Sequence, residues 1–309
     1  MKPAFSVIFL TTLIGAGQGL FLALFATEMM LPSSPELRGF LVVGDIVVLG
    51  FCGLGLLASF FHLGRPERAW RTATMWRTSW LSREVIILPA FMGGVFLHGL
   101  SHYLGQGPAA LVGLGTALVG LALYVCTAMI YASIRFLQEW ASPLTVANYT
   151  LLGLASGFTL ATLLAGVLSP GLASAYALGA SLFTLAGFVS RSASLLRNAR
   201  LKPTSTIQSA IGIKHPKIVQ KSQGFMGGSF NTREFFHGSS AAILRNVKWS
   251  FLLLVFPLPL LFLVAGLKGD SLPYLAAAFA LQYLGLLAER WYFFAQANHP
   301  QNLYYQTIA

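Results

Sequence analysis

Charge is scarce in this chain: only 9% of its 309 residues are charged, and only nine are acidic. With 56% hydrophobic residues and a mean hydropathy of +0.70, it has too little polar surface to cover a water-soluble fold. It therefore reads as a multi-pass membrane protein. Cysteine is nearly absent. Cys52 and Cys126 both fall in apolar runs, and two thiols cannot supply the roughly four ligands that an iron–sulfur cluster or a structural zinc requires. Histidine is sparse too, and no two of the six copies fall on different spans at matching depth, as a haem held between two imidazoles would need. The expectation is no haem, no iron–sulfur cluster and no metal site in this chain, so any redox metal belongs to a partner. No P-loop, dinucleotide fingerprint or nucleophile triad is present.

What is abundant is long apolar sequence. Runs able to cross a hydrocarbon core, about 20 residues each, occur near 5–30, 39–61, 83–104, 109–137, 146–169, 172–196, 248–267 and 272–296. They predict an all-α integral membrane protein of eight transmembrane helices, arranged as two four-helix groups in a single membrane domain over 1–309. The first run is too long for a signal-peptide core and lacks a small-residue cleavage site, so it reads as a retained span. Only Ser169, Pro170 and Gly171 separate the fifth and sixth runs. Pro257 and Pro259 fall inside the seventh, where neighbouring helices can satisfy the carbonyls that proline frees.

An even number of spans puts both termini on one side. That side carries all of the 20 Lys and Arg except Arg38 and Lys268, which predicts cytoplasmic termini and a bacterial inner-membrane location. The formal charge of +11 is then a topology signal and does not call for nucleic acid. The long basic loop over 197–247 is either solvated beside anionic lipid headgroups or a partner-docking surface. Phe225, Phe230, Phe235 and Phe236 favour docking, because exposed aromatics are costly in a free loop. Trp291 to Phe294 read as an aromatic belt at the cytoplasmic interface.

The densest polar feature is FHLGRPERAWRTATMWRTSWLSRE, residues 61–84, with one His, five Arg and two Glu between the second and third runs. Titratable groups beside a bilayer are costly and mark candidate sites. An imidazole at His62 and a carboxylate at Glu84 could exchange protons with a two-electron, two-proton carrier such as a quinone. Gly64 ends the helix with Pro66, and Arg65 and Arg68 could stabilise an anionic oxygen. Gln18, flanked by Gly15, Gly17 and Gly19, could line a head-group pocket or make a packing hydrogen bond. The same residues also fit ordinary roles: positive-inside anchors for the Arg, a helix-dipole partner for Glu84 and a carbonyl cap for His62. His98 and His102 read as interface residues. Asp45, with Arg38 and Glu28 nearby, suggests a structural ion pair or, in a secondary transporter, part of a polar path.

HLGRPERAW followed by SWLSRE resembles the membrane anchor subunits of the dimethyl sulfoxide reductase family through His62, Leu63, Gly64, Pro66, Arg68, Ala69, Ser82 and Glu84. The resemblance implies a three-part complex: a molybdopterin catalytic subunit, a four-cluster iron–sulfur subunit, and this chain as a haem-free, quinone-reactive anchor. It places His62, Arg68 and Glu84 at a menaquinone or ubiquinone site. The basic loop and the tail NHPQNLYYQ depart from the dimethyl sulfoxide reductase anchors and tilt the expectation towards the sulfite:quinone oxidoreductase branch. A dimethyl sulfoxide reductase anchor oxidising menaquinol is the alternative.

Overall fold

The computed structural model describes residues 4–61, 63–222, 236 and 238–303. Among them, eight helices are long and apolar enough to cross a membrane: α1 (Phe5–Met30), α2 (Pro35–Phe60), α3 (Trp80–Leu104), α4 (Ala109–Ala132), α5 (Pro143–Leu168), α6 (Pro170–Ala199), α7 (Ala241–Lys268) and α8 (Leu272–Ala295). Several start earlier than the apolar runs, because capping rather than hydropathy fixes the first turn. Ser34, Ser79 and Ser142 accept backbone N–H bonds from Leu37, Ser82 and Leu144 at 3.1, 3.3 and 3.2 Å, which satisfies donors that have no partner within the helix. At the far end of α3, Gly105 takes φ +64° and closes the helix in the left-handed conformation.

Sequence neighbours pack side by side, α1 returns against α4, and α5 returns against α8. This gives the two expected four-helix groups. They meet mainly along α1 and α5, where small residues let the backbones approach. A Cβ on Gly157 would fall 2.2 Å from the Gly19 carbonyl carbon, and one on Gly19 would fall 2.3 Å from the Gly153 oxygen. Tyr124 of α4 locks the same seam by donating to the Gly15 carbonyl at 2.6 Å.

The prolines of α7 break it at Phe256, so that Ala241–Val255 and Pro257–Lys268 are separate helices. Pro259 cannot donate to the Val255 carbonyl four residues back. Gln282 of α8 does so instead, with Nε2 3.3 Å from that oxygen and 3.1 Å from Thr184 Oγ1.

The start of α1, the end of α8 and the described residues of 61–79, 133–142 and 200–240 share one end of the bundle, called the basic end below. The long loop there is shorter than expected, since α6 runs to Ala199 and α7 opens at Ala241. Phe225, Phe230, Phe235, Tyr304 and Tyr305 lie outside the described residues, and Phe236 packs its ring edge-on to Trp291 at 5.2 Å. One reading is corrected. Phe293 and Phe294 do not form an interfacial belt: they are 3% and 2% exposed and pack on Trp140, Tyr131 and Tyr149. Arg191, one of the cations counted on the basic side, sits inside α6 and is fully buried.

Candidate functional site

Glu84 lies in the second turn of α3, 8% exposed, and its Oε1 accepts a hydrogen bond from Thr127 Oγ1 of α4. Gln18 reaches the same place from α1, with Nε2 donating to the Gly120 carbonyl at 2.9 Å. The two side chains line one enclosed cavity with Thr11, Tyr124, Thr127 and Tyr149. Its volume is about 10 Å³, room for roughly one water. A carboxylate, hydroxyls and a water-sized space can hold and pass a proton, but the space cannot admit a quinone ring.

The other expected site residues are placed differently. His62 lies outside the described residues. Gly64, Arg65 and Arg68 are exposed, beside and on a short 3-10 helix over Pro66–Met75, and Arg68 is 3.9 Å from Glu67. Arg83 fastens the far end of this loop, donating to the carbonyls of Trp76 and Arg77 at 2.9 and 2.8 Å and stacking on Trp80. The structure thus joins Gln18 to Glu84 and leaves the loop arginines free of that cavity.

A larger space exists at the same end. An apolar groove of about 540 Å³ is lined by Phe5, Phe9, Leu13, Leu57, Phe61 and Tyr283, among others. Tyr283 hydroxyl and Thr12 Oγ1 are 3.2 Å apart beside it. At 100° per residue, the α1 residues of this groove and those of the Gln18 cavity fall on opposite faces of the helix. The α1 backbone therefore stands between groove and cavity.

Sequence reasoning missed a buried charge cluster between α6 and α8. Arg191 Nε lies 2.7 Å from Glu289 Oε1, and Arg290 NH1 lies 3.2 Å from Glu289 Oε2. The Arg290 guanidinium stacks 3.6 Å above the Tyr149 ring, which also lines the Glu84 cavity. Adjacent Glu and Arg in an apolar run were the available signal. A groove of about 150 Å³ on the basic end gathers Gln138, Glu139, Asn198, Pro203 and Asn298. Burial there raises the Glu139 carboxyl above the usual carboxylate range.

At the opposite end, His98 and His102 are buried within the bundle, 0% and 9% exposed. Asp45 pairs with His98 (Oδ2 to Nδ1, 2.7 Å) rather than with Arg38, and Glu28 approaches both imidazoles, 3.0 Å from His98 Nε2 and 3.1 Å from His102 Nε2.

The model of the DMSO reductase anchor subunit (DmsC) family matches residues 1–296. The chain is 54% identical over 329 aligned positions to a sulfite dehydrogenase subunit of Allochromatium vinosum, with both proteins aligned over their full length. It is 26% identical over 157 positions to a subunit of the anaerobic dimethyl sulfoxide reductase of Haemophilus influenzae, a match spanning 50% of this chain and 56% of that one. Eight apolar spans, a basic end and a full-length family match agree: the chain belongs to the DMSO reductase anchor subunit family and is the membrane anchor of a multi-subunit oxidoreductase.

Proposed function

We propose that this chain is the quinone-reactive anchor of a sulfite-oxidising complex in a bacterial inner membrane. A molybdopterin subunit oxidises sulfite, a four-cluster iron–sulfur subunit relays the two electrons, and quinone at the basic end of the anchor takes them up with two protons. The observation that supports this reading most is the full-length 54% identity to a sulfite dehydrogenase subunit. The anchor itself has to hold the quinone near the docked clusters, deliver protons and exclude bulk water. The apolar groove ending at Phe61 has the volume and lining for a quinone ring and tail. His62, next in sequence, supplies an imidazole for proton exchange. Arg65 and Arg68, exposed on the same loop, offer cations to a developing quinol oxygen. Glu84, with Thr127, Gln18 and one water, acts as a proton store behind α1 rather than as a quinone contact. The basic end, with the loop over 200–240 and the Glu139–Asn198 groove, is the docking face for the iron–sulfur subunit.

Membranes carrying the whole complex test this. Sulfite should reduce a short-chain quinone analogue, and His62→Ala should cut that turnover by roughly 10²-fold or more while the catalytic subunits stay membrane-bound. Glu84→Gln should slow turnover in the same direction and leave the KM for quinone unchanged. Normal turnover in both variants would remove the site assignment. Quinol-driven reduction of dimethyl sulfoxide without any sulfite oxidation would overturn the reaction.

A further inference from the structure

Four titratable side chains from three helices meet at the end of the bundle away from the basic loop, and the proposed electron path uses none of them. Glu28 comes from α1, Asp45 from α2, and His98 and His102 from α3. The two histidines are four residues apart, so both imidazoles leave α3 on one face, and their rings lie 4.6 Å apart edge to face. Gly99 permits the approach of α2, since even a Cβ there would come within 3.2 Å of the Asp45 carboxylate.

The geometry points to a binding site for a first-row divalent cation, with Glu28, His98 and His102 as ligands and Asp45 as the residue that orients His98. One ligand atom from each of the three lies within 4.8 Å of the other two. The close pairs, 3.0 and 3.1 Å between Glu28 oxygens and the two Nε2 atoms, need to open by only a few tenths of an ångström. The edge of a tetrahedral site with bonds near 2.0–2.1 Å is about 3.4 Å. His98 Nδ1 is already held by Asp45 at 2.7 Å, which turns Nε2 towards Glu28 and His102, the carboxylate–histidine–metal arrangement found around ligating imidazoles.

His102 Nε2 is buried 3.1 Å from Glu28 Oε1 without the alignment of a hydrogen bond. A cation between the imidazole and the carboxylate would satisfy both. Access is provided by a vestibule of about 510 Å³, opening on Glu28 and His102 between Ser33, Leu37, Arg38, Ser101 and Gln106. It leaves a fourth coordination position to water, and it places Arg38 at the mouth rather than among the ligands. The donor set of two imidazoles and a carboxylate suits zinc and its neighbours better than magnesium or calcium, which prefer all-oxygen sites. A bound ion would tie α1 to α3 and neutralise acids that are otherwise costly at this depth.

The test uses the purified full complex. After dialysis against a chelator, cobalt(II) titrated into the wild-type protein should produce visible ligand-field bands of a four- or five-coordinate site, saturating at about one ion per anchor, and zinc should displace them. Asp45→Asn should weaken the ion by roughly 10–100-fold, and His98→Gln or His102→Gln should abolish the bands. A wild-type protein that shows no bands and binds no stoichiometric zinc overturns the site, whether or not the variants fold. Stoichiometric binding that persists in both histidine variants also overturns it, because the ion is then held elsewhere.

Discussion

A charged side chain inside a membrane protein has to find its partner within the fold, and Arg191 shows how much then rests on one contact. Its guanidinium and Glu289 are both almost fully buried and 2.7 Å apart, and Arg290 closes the cluster from the other side. Removing one member leaves the remaining charges poorly compensated, at a cost of about 3–5 kcal/mol. Arg191→Met should therefore lower the unfolding midpoint of the detergent-solubilised protein sharply. A triple replacement by Met, Leu and Met at 191, 289 and 290 should recover most of the loss, because the desolvation cost disappears with the charges. If Arg191→Met alone unfolds like the wild type, the cluster contributes nothing to stability. Counting charges along the sequence placed Arg191 on the basic side but did not reveal its partner, because hydropathy does not record which face of a helix a residue occupies. Glu84 was identified from its neighbours in sequence, but its partner Thr127 was not, since nothing in an apolar run marks which threonine faces a carboxylate.

At the level of helices, packing distance decides what each position tolerates. Gly157 has no room for a methyl group, its would-be Cβ being 2.2 Å from the Gly19 backbone, whereas Gly171 has nothing within 4 Å. Gly157→Ala should push α5 from α1 and cost about 1–3 kcal/mol, seen as lower yield and thermal stability of the solubilised anchor. Gly171→Ala should be neutral by the same measurement. Equal effects from the two would mean that the α1–α5 seam is not the tight contact described. The broken α7 is equally specific. Gln282→Leu removes the donor to the Val255 carbonyl, which should cost about 1–3 kcal/mol in the same assay. The break itself was legible from Pro257 and Pro259. That Gln282 would be the residue to mend it was not, because it lies on another helix.

For the molecule as a whole, topology and docking follow from where charge collects. If the basic end faces the cytoplasm, protease added to inside-out vesicles lacking the partner subunits should cut between Lys214 and Lys221, where the described residues of the loop are mostly exposed. The partners should then protect that stretch. Cleavage only from the other face would reverse the proposed orientation and move the docking surface. The sequence by itself determined the number of spans, their rough limits, the concentration of cations at one end and the family, since bilayer thickness and the cost of charge act on local composition. Only the tertiary structure decided which polar groups meet: Thr127 with Glu84, Asp45 with His98, Glu28 with two imidazoles, Arg191 with Glu289. These pairings depend on how each helix is rotated about its axis. That rotation is set by interhelical contacts such as Gly19 on Gly157 and Gly99 on Asp45, which join residues far apart in sequence and leave no local trace.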